Sequence, residues 1–165
     1  LPAMSVERVG YGAGDRDEGA RIESDAVAAI IATTERYAYF LQEWGKHSWD
    51  AADASPITAE DVTAASATAI AALDAGFFGV RFDRLTPAEK RYLRAMAALG
   101  PGPHRSGDIA RALHRPVTSL APLRSQLIVK GMIWSPSHGD TGFTVPLFDA
   151  FMRRIMPGSD WRSAP

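Results

Sequence analysis

The sequence predicts a mainly α-helical protein in which a small helical bundle is followed by a unit of helix, turn, helix and short β-hairpin. Apolar residues recur at helical spacing through most of the chain, and helix-start and helix-stop residues divide it into segments. Two β-favouring triplets, Met132-Ile133-Trp134 and Phe143-Thr144-Val145, flank a polar loop. The predicted organisation is a tail or linker over 1–20, the helical bundle over 21–80, the second unit over 81–157 and a C-terminal tail over 158–165.

Three segments of the first half have the periodicity of packed helices. The apolar spacing predicts a helix over 24–34 and a second, aromatic-rich helix over 36–52. Thr58-Ala59-Glu60-Asp61 resembles a capping box and predicts a third helix to about Asp74, which Gly76-Phe77-Phe78-Gly79 is expected to end. The aromatic residues of the second helix are compatible with base stacking, but their helical spacing favours a buried core.

The second half contains a helix-turn-helix pattern. Thr86-Pro87-Ala88-Glu89 combines a capping threonine, a proline in the first turn and a glutamate three residues on, which predicts a helix. Further helices are predicted from Ser106 to Leu113, over 118–130 with a Thr or Ser cap and a glycine stop, and over 146–156. A helix-turn-helix followed by a β-hairpin is typical of a winged helix, which most often lays its second helix in the DNA major groove.

The charge is distributed unevenly although the net charge is −1. From Arg81 onward there are thirteen Lys and Arg residues against six Asp and Glu, a net +7, whereas residues 1–80 carry a net −8. A basic half is typical of nucleic-acid contact. The alternative is that the two halves attract one another.

The outward face of the second motif helix and the basic residues beside it are the candidate DNA contacts. Gln can pair with adenine, Ser and Thr can bond bases or phosphates, and Pro can touch thymine methyl groups. Flanking cations would contact phosphates and supply most of the affinity. The alternative is an ordinary solvated helix face. The candidates are Arg105, Ser106, Arg115, Thr118, Ser119, Pro122, Ser125, Gln126, Lys130 and His138.

Arg124 is not among the candidates although it lies on the same helix. At about 100° per residue it falls among the inward-facing leucines of that helix. We therefore expect a partly buried, paired, structural arginine.

Motifs of catalysis, metal binding and membrane insertion are not recognised in the sequence. There is no cysteine, the four histidines are scattered, and no G-x-S-x-G or H-E-x-x-H motif occurs, so no catalytic site, metal or cofactor is expected. No apolar run approaches the length of a membrane span and no signal peptide is recognised. A cytoplasmic protein without membrane contact is expected.

The run from Ile22 to Met156 resembles the C-terminal part of bacterial and archaeal AAA+/STAND-type ATPases, relatives of the Orc1/Cdc6 group. The resemblance implies a helical lid subdomain followed by a winged helix, beside an ATPase core. The chain lacks the G-x-x-x-x-G-K-[ST] loop that would hold phosphates, and Arg36 and Ala38 stand where such lids often carry the Gly and Pro of a Gly-x-Pro element. The resemblance rests on Tyr39-Phe40-Leu41-Gln42-Glu43-Trp44-Gly45-Lys46, Phe77-Phe78, Arg81-Phe82-Asp83, Leu85-Thr86-Pro87-Ala88-Glu89, Leu127-Ile128-Val129-Lys130-Gly131 and Phe143-Thr144-Val145-Pro146.

We therefore expect a non-catalytic winged-helix module that binds double-stranded DNA as the C-terminal part of an AAA+-type ATPase. ATP would matter only through a separate ATPase core. Two alternatives stay open: a protein-interaction module that uses the winged helix, and a small transcriptional regulator that pairs with a second copy through residues 22–78.

Overall fold

The computed structural model describes residues 21–162, which are mainly helical with a small three-stranded antiparallel sheet. The predicted class of a helical protein with a short β element is confirmed at this level. The described residues divide into two compact units, 21–69 and 70–162. The tail predicted over 1–20 and residues 163–165 lie outside the described part.

The first unit contains α1 (Ser24–Thr34), α2 (Ala38–Ala51) and the larger part of α3 (Ala59–Ala72). Phe40 and Trp44 of α2 are completely buried, so the prediction that the aromatic face is core is confirmed. The Trp44 indole Nε1 donates a hydrogen bond to Ser66 Oγ on α3 over 3.1 Å. That bond satisfies the polar atom of a buried ring, as packing of a tryptophan requires.

The capping box predicted at the start of α3 is present. The Thr58 amide and hydroxyl donate to one Asp61 carboxylate oxygen over 2.8 and 2.9 Å, and the Asp61 amide donates back to Thr58 Oγ1 over 3.3 Å. The reciprocal bonds satisfy amides that the first helical turn leaves unpaired.

The prediction that Gly76-Phe77-Phe78-Gly79 ends this helix was wrong. The helix continues as a π-helical segment, Leu73–Phe78, and then as α4 (Gly79–Asp83). The Gly79 amide donates to the Asp74 carbonyl five residues back, and a Cβ at Gly79 would lie 2.8 Å from that oxygen. The glycine therefore permits the wide turn instead of breaking the helix.

The continuous helix Ala59–Asp83 also corrects the expectation about membrane spans. Of the helices in residues 21–162, this one is long and apolar enough to cross a membrane, with mean hydropathy 1.3 in its most apolar window. The criterion covers length and composition only, and core helices of globular proteins also meet it. Val62, Ala65 and Ala69 are buried in the first unit, but only 28% of the most apolar window is buried, so most of it is exposed.

The second unit is built on α5 (Pro87–Leu99) and α8 (Phe148–Ile155), which pack on each other. The predicted Thr86–Glu89 capping box is present at the start of α5. Phe78, Phe148 and Phe151 form an aromatic cluster in the core, with ring centroids 5.2 to 5.6 Å apart. Such spacing is favourable for aromatic pairs and adds to the burial of apolar surface.

Two further helices form the helix-turn-helix segment: α6 (Ser106–Ala112) and α7 (Ala121–Val129). A 3₁₀ turn, Val117–Leu120, leads into α7, and no side chain caps it, so the predicted Thr118 or Ser119 cap was wrong. Pro122 lies in the first turn of α7 as predicted. Gly131 has φ +68° and follows the last turn, which confirms the predicted glycine stop.

The sheet has the order β1-β3-β2 and consists of β1 (His104–Arg105), β2 (Ile133–Trp134) and β3 (Asp140–Phe143). β3 starts earlier than predicted, because Thr141 and Gly142 pair with β1 and β2 instead of lying in the loop. β1 was not predicted. It is two residues long and exists only through pairing with β3, which no local pattern records.

Residues 158–162 are not a tail, in contrast to the prediction. They include a 3₁₀ turn, Asp160–Arg162, in which Trp161 is only 4% exposed. The buried Arg94 of α5 holds this segment through bonds to the Met156 and Gly158 carbonyls, 2.7 and 3.3 Å long, and its guanidinium lies 5.0 Å from the Trp161 ring. Burial lowers the pKa of Arg94, and the nearby Arg153 and Arg162 charges lower it further.

Candidate nucleic-acid interface

The outward face of α7 and of the 3₁₀ turn before it is exposed as a continuous surface. Leu120 and Leu127 point into the core and are 4% and 0% exposed, so they fix which side of the helix faces solvent. The candidate residues on the other side are all exposed: Thr118, Ser119, Pro122, Ser125 and Gln126. Half of the predicted contacts are therefore accessible on α7 and on the 3₁₀ turn before it. The Ser119 and Ser125 hydroxyls donate to backbone carbonyls of their own turns over 2.7 and 3.0 Å, which leaves their lone pairs free to accept.

The loop between β2 and β3 is held against the start of α6. Ser106 donates to the Gly139 carbonyl from its amide over 2.9 Å and from its hydroxyl over 3.0 Å. His138 is exposed at the tip of this loop. Ser106 and His138 therefore line the same cleft as the first turns of α7.

Arg105 lies at the edge of the same region but already has a partner. Its guanidinium Nε is 3.2 Å from the Asp140 carboxylate, and its side chain is 74% exposed. The pair is solvated, so the cation can still approach a phosphate, with part of its field offset by Asp140.

Lys130 is not a free cation, in contrast to its predicted role at the flank of the helix. Its ammonium donates to the Glu89 carboxylate over 2.7 Å and to the Arg84 carbonyl over 3.1 Å. Burial raises the pKa of Glu89, but the hydrogen bonds from Lys130 and Thr86 outweigh it, so the net pKa is lowered. Glu89 is 3% exposed. Lys130 therefore neutralises a buried carboxylate, and the sequence offered no sign of this partner.

Arg115 is exposed in the turn between α6 and α7, and no contact engages its side chain in the described part of the chain. It follows His114, whose φ of +53° marks the sharp change in chain direction at this turn. Among the predicted phosphate contacts, Arg105 and Lys130 each have an acidic partner in the described structure, whereas the Arg115 side chain has none.

Arg124 is partly buried and hydrogen-bonded within the unit, which confirms the structural part of its prediction. Its Nε donates to Thr141 Oγ1 over 3.0 Å, and a terminal nitrogen donates to the Asp140 carbonyl over 3.1 Å. These bonds tie α7 to β3. Burial raises the pKa of the Tyr92 phenol, while its bond with Thr141 and the Arg124 charge oppose that rise.

A cleft of about 300 Å³ opens between the first turns of α7, the β2–β3 loop and the start of α6. Its lining includes three predicted contacts, Ser106, Ser125 and His138, together with Arg124 and Tyr92. Of the described residues that line it, none is Asp or Glu. The cleft was not predicted from the sequence, because its walls come from four separate segments.

Most of the basic residues of the second unit contact other parts of that unit. Arg153 pairs with Asp149 over 2.8 Å, and Arg154 makes a bidentate pair with Asp74 with bonds of 2.6 and 2.8 Å. Arg162 donates to the Ala112 carbonyl over 3.2 Å. The net +7 counted from the sequence therefore overstates the charge that this unit presents to a ligand.

Metal coordination has no candidate among residues 21–162, since no group of three or more His, Asp or Glu side chains could hold an ion there. The cleft presents hydroxyls, an imidazole and the guanidinium of Arg124, and the guanidinium is its permanent positive charge.

In the comparison with protein families, residues 75–152 match a model described as Domain of unknown function (DUF8462). The matched residues contain α5, α6, α7 and the three strands, and so include the exposed face of α7 and the cleft. Comparison with curated proteins gave no match, and neither did comparison with solved structures.

Proposed function

We propose that the protein is a non-catalytic DNA-binding module and that its second unit is a winged helix. The β2–β3 hairpin forms the wing, and α7 is the helix that enters the major groove. The observation that carries the proposal is the exposure of Ser125 and Gln126 on α7 and of Thr118 in the 3₁₀ turn that leads into it. Around this face the cleft adds polar groups and a guanidinium without a carboxylate.

The expected recognition is weakly sequence-specific. The exposed α7 face has hydroxyls and one amide but no guanidinium, and bidentate arginine is the commonest guanine contact. Gln126 would read adenine, Pro122 would touch thymine methyl groups, and Arg115 would contact a phosphate. Affinity from so few free cations should be modest.

The resemblance to AAA+/STAND-type ATPases supports a further part of the proposal: the module works in the cytoplasm beside an ATPase core that supplies nucleotide hydrolysis. The support is the set of matching segments around Phe77-Phe78 and Leu85-Thr86-Pro87-Ala88-Glu89. Mixing the chain with a candidate core and measuring whether DNA stimulates hydrolysis tests this part separately.

Binding of duplex DNA to the full chain is the decisive experiment, measured by fluorescence anisotropy at several salt concentrations. We expect the affinity to fall as salt rises. Arg115→Gln should weaken binding about fivefold, as expected for one exposed charge contact of about 1 kcal/mol. Arg154→Gln, which removes the same charge from a residue outside the α7 face, is the matched control. No salt-dependent binding, or equal loss in both variants, would refute the proposal.

A protein-interaction module is the second candidate, and the exposed apolar side chains of the second unit favour it. Val117, Val129 and Trp134 are 49%, 82% and 51% exposed, although most such side chains are buried in monomeric proteins. Trp134→Ser that leaves DNA affinity unchanged but abolishes capture of a partner protein would favour this candidate.

A further inference from the structure

The positive charge of the Arg124 guanidinium has no acidic partner among its hydrogen-bond acceptors. Its hydrogen-bond acceptors are the Thr141 hydroxyl and the Asp140 carbonyl, and neither carries a charge. Of the described residues lining the cleft beside it, none is Asp or Glu. A cation held in place by neutral acceptors keeps its field available to a ligand.

We propose that the cleft is an oxyanion site in which Arg124 holds a phosphate of the nucleic-acid backbone. This inference rests on the proposed DNA-binding function and adds the residue around which a phosphate is positioned. Ser106, Ser125 and Ser135 line the same cleft, but their hydroxyl protons are already donated to backbone carbonyls, so the unused N–H groups of Arg124 would be the donors to the phosphate oxygens.

Asp140 is the acidic group closest in sequence to these partners, and it is already engaged. Its carboxylate accepts from the Ser137 hydroxyl over 2.5 Å and lies 3.2 Å from the Arg105 Nε. Its carbonyl, rather than its carboxylate, faces Arg124. The Asp140 charge is therefore offset by Arg105.

The size and walls of the cleft favour a phosphodiester over a bare inorganic ion. Its volume of about 300 Å³ exceeds that of one phosphate group, and Val117 and Ala121 give it an apolar side. A phosphodiester brings sugar carbons that can lie against such a wall. A free organic phosphate has the same chemistry, but the exposed contact residues on α7 around the cleft favour the continuous backbone of a duplex.

Nuclear magnetic resonance of the full ¹⁵N-labelled chain, titrated with inorganic phosphate against chloride at equal ionic strength, tests the site. We expect phosphate-specific shifts at the Ser125 and Gly139 amides and at the Arg124 side chain. Ser125→Asp places a carboxylate at the cleft without touching the bonds of Arg124, and it should abolish these shifts. Val129→Asp adds the same charge to an 82% exposed residue of α7 that does not line the cleft, and should retain them.

Duplex binding by Arg124→Gln and Arg124→Lys tests the assignment to the backbone. Arg124→Gln should weaken binding roughly tenfold to a hundredfold, as loss of a charged hydrogen bond predicts. It should also lower the slope of log affinity against log salt concentration by about the amount that one phosphate contact contributes. Arg124→Lys should keep the salt dependence because it keeps the charge. Arg154→Gln controls for loss of net charge, and native chemical-shift dispersion controls for folding.

Each other outcome overturns a defined part of the inference. If phosphate produces no shifts in the cleft, or Ser125→Asp retains them, the oxyanion site is wrong while DNA binding can stand. If cleft shifts are present but Arg124→Gln and Ser125→Asp bind duplex as the wild type does, the occupant is a free organic phosphate. If the wild type binds no duplex, the proposed function fails and the backbone assignment fails with it.

Discussion

Replacing Lys130 should affect stability rather than DNA affinity, because its ammonium is bound to the buried Glu89. Lys130→Met keeps the aliphatic stem and removes the charge that compensates this carboxylate, to which it donates over 2.7 Å. A hydrogen bond to a charged group contributes about 1.5–3 kcal/mol. The Lys130 side chain is 34% exposed, and Glu89 keeps its bond from the Thr86 amide, so we discount this to about 1–2 kcal/mol.

Urea unfolding followed by circular dichroism measures this effect. Lys130→Met should lower the urea concentration at which half of the protein is unfolded. The slope of the unfolding free energy against urea concentration should change little, which would show that stability itself has changed. Arg115→Met is the matched control, since that side chain is exposed, and it should lie within about 0.5 kcal/mol of the wild type. An unchanged midpoint for Lys130→Met, or a loss of DNA affinity without a loss of stability, would refute the assigned role.

The difference between wild type and Lys130→Met should also depend on pH. The pKa of Glu89 in the folded protein is lowered below its ordinary value, because hydrogen bonds from Lys130 and Thr86 outweigh burial. A lowered carboxyl pKa stabilises the fold above the unfolded-state pKa of about 4.3, and this stability is lost as pH falls through the folded-state value. We therefore expect the full difference at neutral pH and a smaller one in acid. A difference that grows as pH falls would contradict this sign.

Three other substitutions test features of the second unit by urea unfolding or fluorescence. Trp161→Ala should lower the free energy of unfolding by about 3 kcal/mol, because this ring is 4% exposed; an effect below about 1 kcal/mol would mean that the segment is not part of the core. Gly79→Ala should destabilise by about 1–2 kcal/mol, since its Cβ would lie 2.8 Å from the Asp74 carbonyl; the gain normally expected from Gly→Ala in a helix would exclude the π-helical turn. Gly142→Ala should cost less than about 1 kcal/mol but change the fluorescence of Trp134, whose indole Nε1 lies 3.1 Å from the added Cβ and can move because the ring is half exposed.

Features encoded within one helical turn were predicted well. The Thr58–Asp61 and Thr86–Glu89 capping boxes are formed by residues three apart, so their sequence spacing specifies their hydrogen bonds directly. The glycine stop after α7 is equally local, since Gly131 adopts the positive φ that other residues disfavour. The orientation of α7 also followed from its own leucine spacing.

Features that depend on distant parts of the chain were missed. Gly76 and Gly79 carry a low helix propensity, yet the helix runs through them while Phe78 is buried in the aromatic cluster of the second unit. Packing of that ring outweighs a propensity cost of about 1 kcal/mol per glycine. β1 was missed for a related reason, because a two-residue strand is defined by its partner β3.

The charge pattern shows why composition alone is a weak guide to the interface. Lys130 and Arg124 lie six residues apart on the sequence and looked like a surface cation and an internal arginine, respectively. The structure gives Lys130 a buried carboxylate as its partner, whereas Arg124 has neutral partners and lines the cleft. Counting Lys and Arg cannot separate these cases, since the difference lies in residues 16 to 41 positions away. If few cations remain free to release counterions, the dependence of DNA affinity on salt should be shallower than a net charge of +7 implies.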